Sequence, residues 1–149
     1  MKKHFKFLIA IVFAILLIFL IFHKTNKVEA PNPQYINIGG QKLQVDIADT
    51  PVKREQGLSG RTGLKVNEGM LFDFPNSGIY SFWMKDMKFP IDIIWINEEG
   101  KIVYIKKNAL PDSYPALFTP ENNSKYVLEV VSGFCDKYNI KIGDRVELH

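Results

Sequence analysis

Carboxylates and guanidinium groups carry most of the chemistry this sequence could do. Asp86 and Asp92 lie six residues apart in Phe82-Trp83-Met84-Lys85-Asp86-Met87-Lys88-Phe89-Pro90-Ile91-Asp92-Ile93-Ile94-Trp95-Ile96, a stretch that holds both tryptophans of the chain. Charged groups lodged among large apolar ones must find partners or line a pocket. A bend at Pro90 could bring both aspartates to one end of a sheet, and two carboxylates about 5–10 Å apart can hydrolyse a glycosidic bond. Salt bridging to Lys85, Arg54 or Arg61 is the plainer reading. Glu129 interrupts the apolar run Val127-Leu128-Glu129-Val130-Val131. Facing out, it is a solvated strand residue; facing in, it needs a cation, which Arg54 or Arg61 could supply.

Arginine forks bind carboxylate or phosphate bidentately, so Arg54 and Arg61 also mark a candidate anionic-ligand site, against a structural clamp on the following loop. Trp83 and Trp95, with Tyr80, Tyr104 and Tyr114, are a candidate aromatic platform for a sugar, against simple core packing. Three chemistries are disfavoured. The only histidines are His4, His23 and His149, at the edges of the chain, which argues against Ser-His-Asp and Cys-His catalysis and against a histidine-ligated metal. The single cysteine, Cys135, has no evident base partner and reads as a small buried apolar residue. Asn97-Glu98-Glu99-Gly100 reads as a hairpin turn rather than a cation loop. No cofactor or metal is expected.

The elements that must position these residues follow an unusual start. Residues 7–22 are an unbroken apolar run, preceded by Lys2, Lys3 and Lys6. As a helix it spans roughly 24 Å at about 1.5 Å per residue, against a bilayer core of about 30 Å. With Phe5 included and Lys6 snorkelling, residues 5–23 suffice to cross. A retained signal anchor over residues 1–24 is the favoured reading. A cleaved signal peptide is the alternative, with Val28-Glu29-Ala30 as its small-residue site and Pro31 hindering cleavage. The basic start favours a cytoplasmic N-terminus and a domain outside the cytoplasmic membrane, secreted if the signal is cleaved. Residues 25–34 read as a linker and 35–149 as a single domain. Setting aside the four lysines of residues 1–24, the chain carries 15 basic and 16 acidic residues, so the domain lacks the basic excess of a nucleic-acid binder.

The domain reads as mainly β, a small barrel or sandwich of about eight short strands with two short helices. Residues 35–38 and 42–47 form a hairpin about Gly39-Gly40. Thr50-Pro51 starts a short helix that Gly57 ends. Strands follow over residues 69–74, 80–84, 91–96, 101–105 and 126–131, with a long loop over 110–123. Ser132 caps a second short helix through residue 137, and a last strand follows Gly143.

Several blocks, in order, resemble a known family. They are Arg54-Glu55-Gln56-Gly57-Leu58-Ser59-Gly60-Arg61, Gly69-Met70-Leu71-Phe72-Asp73-Phe74, Phe82 to Met87 with Pro90-Ile91-Asp92, and Tyr126-Val127-Leu128-Glu129-Val130 with Gly133-Phe134 and Gly143-Asp144. Together they resemble domain of unknown function (DUF) family 192. Asp86 stands where many members have asparagine, and Met87 where many have threonine. The resemblance implies a compact, mainly β fold in prokaryotic proteins that often carry an export signal, and no established activity. The expected function is a non-catalytic binding or accessory module at the cell envelope, for cell-wall glycan or an anionic small molecule. A hydrolase using Asp86, Asp92 or Glu129 and a structural or protein-interaction domain are the alternatives. Oligomeric state is not legible.

Overall fold

The structure, a computed structural model, describes residues 34–148. The expected membrane segment lies outside the described residues; among those described, no helix is long and apolar enough to cross a membrane. Seven strands form one sheet: β1 (Gln34–Ile38), β2 (Gln41–Ala48), β3 (Glu68–Gly78), β4 (Ile91–Ile96), β5 (Ile102–Ala109), β6 (Ser124–Val131) and β7 (Val146–Leu148). Their spatial order is β5-β4-β6-β3-β2-β1-β7. Two short helices, α1 (Pro51–Gln56) and α2 (Phe134–Lys137), complete the domain.

Local chemistry explains the first elements. Gly39 and Gly40 both have positive φ, as the tight turn between β1 and β2 requires. The Thr50 hydroxyl accepts from the Lys53 N–H at 3.3 Å, Pro51 opens α1, and Gly57 at φ 50° ends it. This helix makes the crossover that lets β2 and β3 pair in parallel, the one parallel pair of the sheet. β4 and β6 lie in the sheet interior and are paired on both sides.

The sheet curls into a half-barrel whose two edges meet at one end. Lys101 and Arg145 form a bridge, and the Val146 N–H donates to the Gly100 carbonyl at 2.8 Å. Gly100 is indispensable there: at φ +77°, an added Cβ would lie 2.7 Å from the Val146 oxygen. Gly100→Ala is expected to destabilise the domain by about 2–4 kcal/mol, combining left-handed strain with loss of the closing hydrogen bond. Urea unfolding measures it, and a midpoint equal to wild type would count against this closure.

The sheet has an apolar core on each face. Leu128 and Val130 of β6 point inward with Ile36, Leu43, Leu71, Ile94 and Phe134. Val127 points outward with Met70, Phe72, Ile91, Ile93 and Trp95, a cluster also containing Leu58 and Met84 from the connecting loops. β4 feeds both cores and is buried along its whole length.

One expected strand is not formed. Residues 80–84 make only a single bridge, Phe82 to Phe118, which leaves seven strands rather than eight. The alternation of Tyr80, Phe82 and Met84 has another cause. Met84 and Phe82 pack over the outer core, and the Tyr80 carbonyl accepts from the Trp95 indole N–H at 2.7 Å. The segment is a lid on a sheet face, with apolar periodicity and almost no ladder.

Candidate functional site

A cleft of about 280 Å³ opens on the outer face. One wall is Arg54, Glu55 and Gln56 of α1 with Gly57, Leu58 and Ser59 after it. Phe72 and Phe74 of β3 line it, as do Tyr80, Ser81, Phe82, Trp83, Lys85 and Met87 from the 79–90 loop. Glu129 of β6 also lines it. The walls are tied together by the Ser59 hydroxyl, which donates to the Lys85 carbonyl at 2.9 Å, and by the Gly60 N–H, which donates to the Asp86 carbonyl at 3.0 Å.

The lining is strongly aromatic. Phe82 sits edge-on to Phe72 at 4.8 Å and to Trp95 at 5.7 Å, and Tyr80 stacks on Phe74 at 3.5 Å between centroids. The edge-to-face contacts of Phe82 are of the favoured kind, worth about 0.5–1.5 kcal/mol each beyond area burial. Two cations stand among the rings. The Arg54 guanidinium lies 5.3 Å from the Phe74 centroid and donates through Nη1 to the Asp73 carbonyl at 2.8 Å. Lys85 is exposed, its ammonium 6.0 Å from the ring of Trp83.

Glu129 is the anomaly. It is 4% exposed, placed between Met70 of β3 and Ile93 of β4, and its Oε2 is buried with no hydrogen-bond partner among the described residues. An inward Glu129 was expected to take Arg54 or Arg61 as counterion. Among the described residues neither forms an ion pair with it. Arg61 is bound to Asp46 at 2.7 Å, and Arg54 to the Asp73 carbonyl. Each arginine is held elsewhere: Arg54 lines the cleft but is bound at the Asp73 carbonyl, and Arg61 lies outside the cleft against Asp46. Burial therefore governs Glu129. It pushes the carboxyl up to about 8, with the Arg61 charge pulling weakly the other way. At pH 7 the group is mainly an uncharged acid.

The two aspartates are not a pair. Asp92 is fully buried and points to the inner face, as do Ile94 and Ile96 of the same strand. Its carboxylate accepts the backbone N–H groups of Asn108 (2.9 Å), Gly133 (3.3 Å) and Cys135 (2.9 Å). It binds no lysine or arginine among the described residues; it ties β5 and the start of α2 to β4. Asp86 is exposed on the other side of the sheet, at φ 58°. Aspartate and asparagine tolerate this left-handed backbone, so the position selects for conformation. The two tryptophans part in the same way. Trp95 is completely buried and cannot stack on a ligand, whereas Trp83 is 49% exposed and leans on Tyr114, 5.7 Å between centroids. Cys135 is buried, and burial with the neighbouring Asp92 charge pushes its thiol far up.

Of the residues singled out in the sequence, Arg54, Lys85, Trp83 and Glu129 meet in the cleft, while Arg61, Asp86, Asp92 and Trp95 do not line it. Sequence reasoning missed Phe72, Phe74, Phe82 and Glu55, whereas Tyr80, a candidate of the aromatic platform, does line the cleft. A signal existed for some of them: Met70, Phe72 and Phe74 alternate along one strand face. Knowing that this face adjoins Glu129 required the β3–β6 pairing, which no local pattern encodes.

The fold and the cleft define a class, a β half-barrel domain with an aromatic, acid-containing cleft on its outer face. The sequence profile of family DUF192, described as an uncharacterised ACR, matches residues 34–148, and the chain belongs to that family. It is 28% identical over 107 residues to a UPF0127 protein of Thermococcus gammatolerans, covering 68% of this chain and 64% of that protein. A UPF0127 protein of Pyrococcus furiosus is 25% identical over 111 residues, 71% of this chain and 87% of its own. Two crystal structures share the fold. One is a protein of unknown function from Novosphingobium aromaticivorans, with a TM-score of 0.71 and 29% identity over 77% of this chain and 83% of that one. The other comes from Sinorhizobium meliloti 1021 and is described as a candidate transcription regulator, with a TM-score of 0.70 and 34% identity over 76% and 89%.

Proposed function

We propose that this domain is a non-catalytic binding module that holds a small anionic ligand, cell-wall sugar acids included, in the outer-face cleft. The observation that carries this reading is the orphaned carboxyl oxygen of Glu129 beside a cavity large enough for a small molecule. A buried polar atom without a partner costs roughly 1–3 kcal/mol, and a ligand that hydrogen-bonds it recovers that cost. Arg54 and Lys85 supply positive charge, and an uncharged Glu129 does not oppose an anion. With residues 1–24 as a signal anchor, the module works on the outer side of the cytoplasmic membrane; with a cleaved signal, it is secreted. The near-balanced charge of the domain gives a DNA backbone little to bind.

Calorimetric titration of the full-length protein with acidic cell-wall fragments tests the reading. Arg54→Ala is expected to weaken binding about 10–100-fold, the range for a hydrogen bond to a charged group. Trp83→Ala, at the edge of the cleft, is expected to cost only a few-fold. Absence of heat with every fragment, or affinities indifferent to both substitutions, would rule the module out.

A further inference from the structure

The ends of the cleft have different chemistry, and their spacing is readable from the strand register. Met70 of β3 is paired with Glu129, and Asp73 of the same strand supplies the carbonyl that holds Arg54. Three residues at about 3.3 Å each put these points roughly 10 Å apart along the strand. Between them the lining is rings, Phe72 and Phe82 edge to face. The cleft is thus cationic at one end, flat and apolar in the middle, and closed at the other end by an acid whose Oε2 has no hydrogen-bond partner among the described residues.

We propose that the cleft selects a flat, apolar monoanion with an uncharged oxygen acceptor at its far end: the anionic head on Arg54, the ring against Phe72 and Phe82, and the Glu129 carboxyl donating to the acceptor. This deepens the anionic-ligand reading and rests on it. The surroundings of Glu129 favour the donor form. Its strand neighbours, Met70 and Ile93, carry no charge. Arg61 is engaged by Asp46, and Arg54, Glu55 and Lys85 line the cleft on α1 and the 79–90 loop. Burial holds the proton on the carboxyl up to a pH of about 8. A site that hydrogen-bonds one ligand group rejects analogues that lack it, because its own polar group is then left unpaired. A bound cation would demand the opposite, an ionised Glu129.

The probes are 4-acetylbenzoate, benzoate, which lacks the acceptor, and 4-acetylbenzylamine, which inverts the head charge. Titration of the full-length protein from pH 5.5 to 9.5 is expected to rank 4-acetylbenzoate at least tenfold above both others. Its affinity should be flat below pH 7.5 and fall up to tenfold per pH unit above about 8, as the donor is lost. Glu129→Gln keeps an N–H donor, so the fall with pH should vanish; Glu129→Leu should erase the preference over benzoate. Equal binding of 4-acetylbenzoate and benzoate, with Arg54→Ala still weakening both, would overturn the role of Glu129 and leave the anion cleft standing. Failure of every probe, or indifference to Arg54→Ala, would overturn this proposal and the anion cleft together. 4-Acetylbenzylamine binding above 4-acetylbenzoate, with an affinity that rises from pH 5.5 to 8, would overturn the proposal and assign Glu129 to a cation instead.

Discussion

Glu129→Gln is expected to be more stable than wild type by roughly 5 kcal/mol above pH 8, and similar to it near pH 4.5. The folded carboxyl titrates at about 8, raised from 4.5 by burial. Below 4.5 the folded and unfolded chains both hold the proton, and burial of the neutral acid carries no charge penalty. Between 4.5 and about 8 the unfolded chain has released its proton while the folded one keeps it. The folded state then binds more protons, so stability falls as pH rises across this window. Above about 8 both forms are ionised and the loss levels off. An interval of about 3.5 pH units at 1.36 kcal/mol each gives the roughly 5 kcal/mol quoted. Exposed pairs such as Asp49 with Lys53 and Glu68 with Lys65 hold their carboxyls below the usual range. They are common to both proteins, so the difference between the two urea-unfolding profiles isolates Glu129. Profiles that stay parallel from pH 5 to 9 would show that the carboxyl is not confined as described.

The second large effect is expected at Asp92. Asp92→Ala removes the acceptor for three backbone N–H groups at once, those of Asn108, Gly133 and Cys135. Two of these residues, Asn108 and Gly133, have positive φ, so the carboxylate also holds backbone that would otherwise relax. Stranding three partly buried donors at about 1–3 kcal/mol each gives a loss of roughly 3–9 kcal/mol. Typical domains have only 5–15 kcal/mol in total. Trp95, buried on the opposite face of the same strand, is a native fluorescence reporter of the urea transition. Asp92→Asn keeps one carbonyl oxygen and should fall between the two. Because Asp92 faces away from the cleft, folded Asp92→Asn should bind ligand as wild type does. A urea midpoint for Asp92→Ala equal to wild type would sink the assignment.

These two carboxylates show what the sequence could and could not disclose. Wherever a short stretch fixes its own geometry, the reading holds. Gly39-Gly40 makes the hairpin turn, Thr50-Pro51 and Gly57 bound α1, and the period of two in residues 42–47 marks a strand. Failures begin where a residue's environment comes from a distant part of the chain. Glu129 was visible as an interruption of an apolar run, but its neighbours Met70 and Ile93 lie 59 and 36 positions away and depend on the β3–β6–β4 order. Asp92 reads in the sequence as a salt-bridge partner or, less plainly, half of a carboxylate pair; strand alternation sends it to the face opposite Asp86, where backbone N–H groups bind it. Residues 80–84 carry the alternation of a strand because they cover a sheet, and pattern alone does not separate covering from pairing.

The bridge between the two sheet edges has a kinetic consequence. β1 lies between β2 and β7, with Ile36 facing Leu148 across 112 positions of sequence. The hairpin with β2 can assemble as soon as its residues are made. The other side of β1 has no neighbour until residues 146–148 exist, and Gly100 cannot engage Val146 before then. At roughly 5–20 residues per second, more than a hundred residues take several seconds to synthesise. During that interval β1 presents an open strand edge, and the inner core lacks one side. Such distant pairing is the slow step of β topologies. The nascent domain is thus kept from closing until residues 146–148 arrive, and until then its β1 edge is open to pairing with another chain.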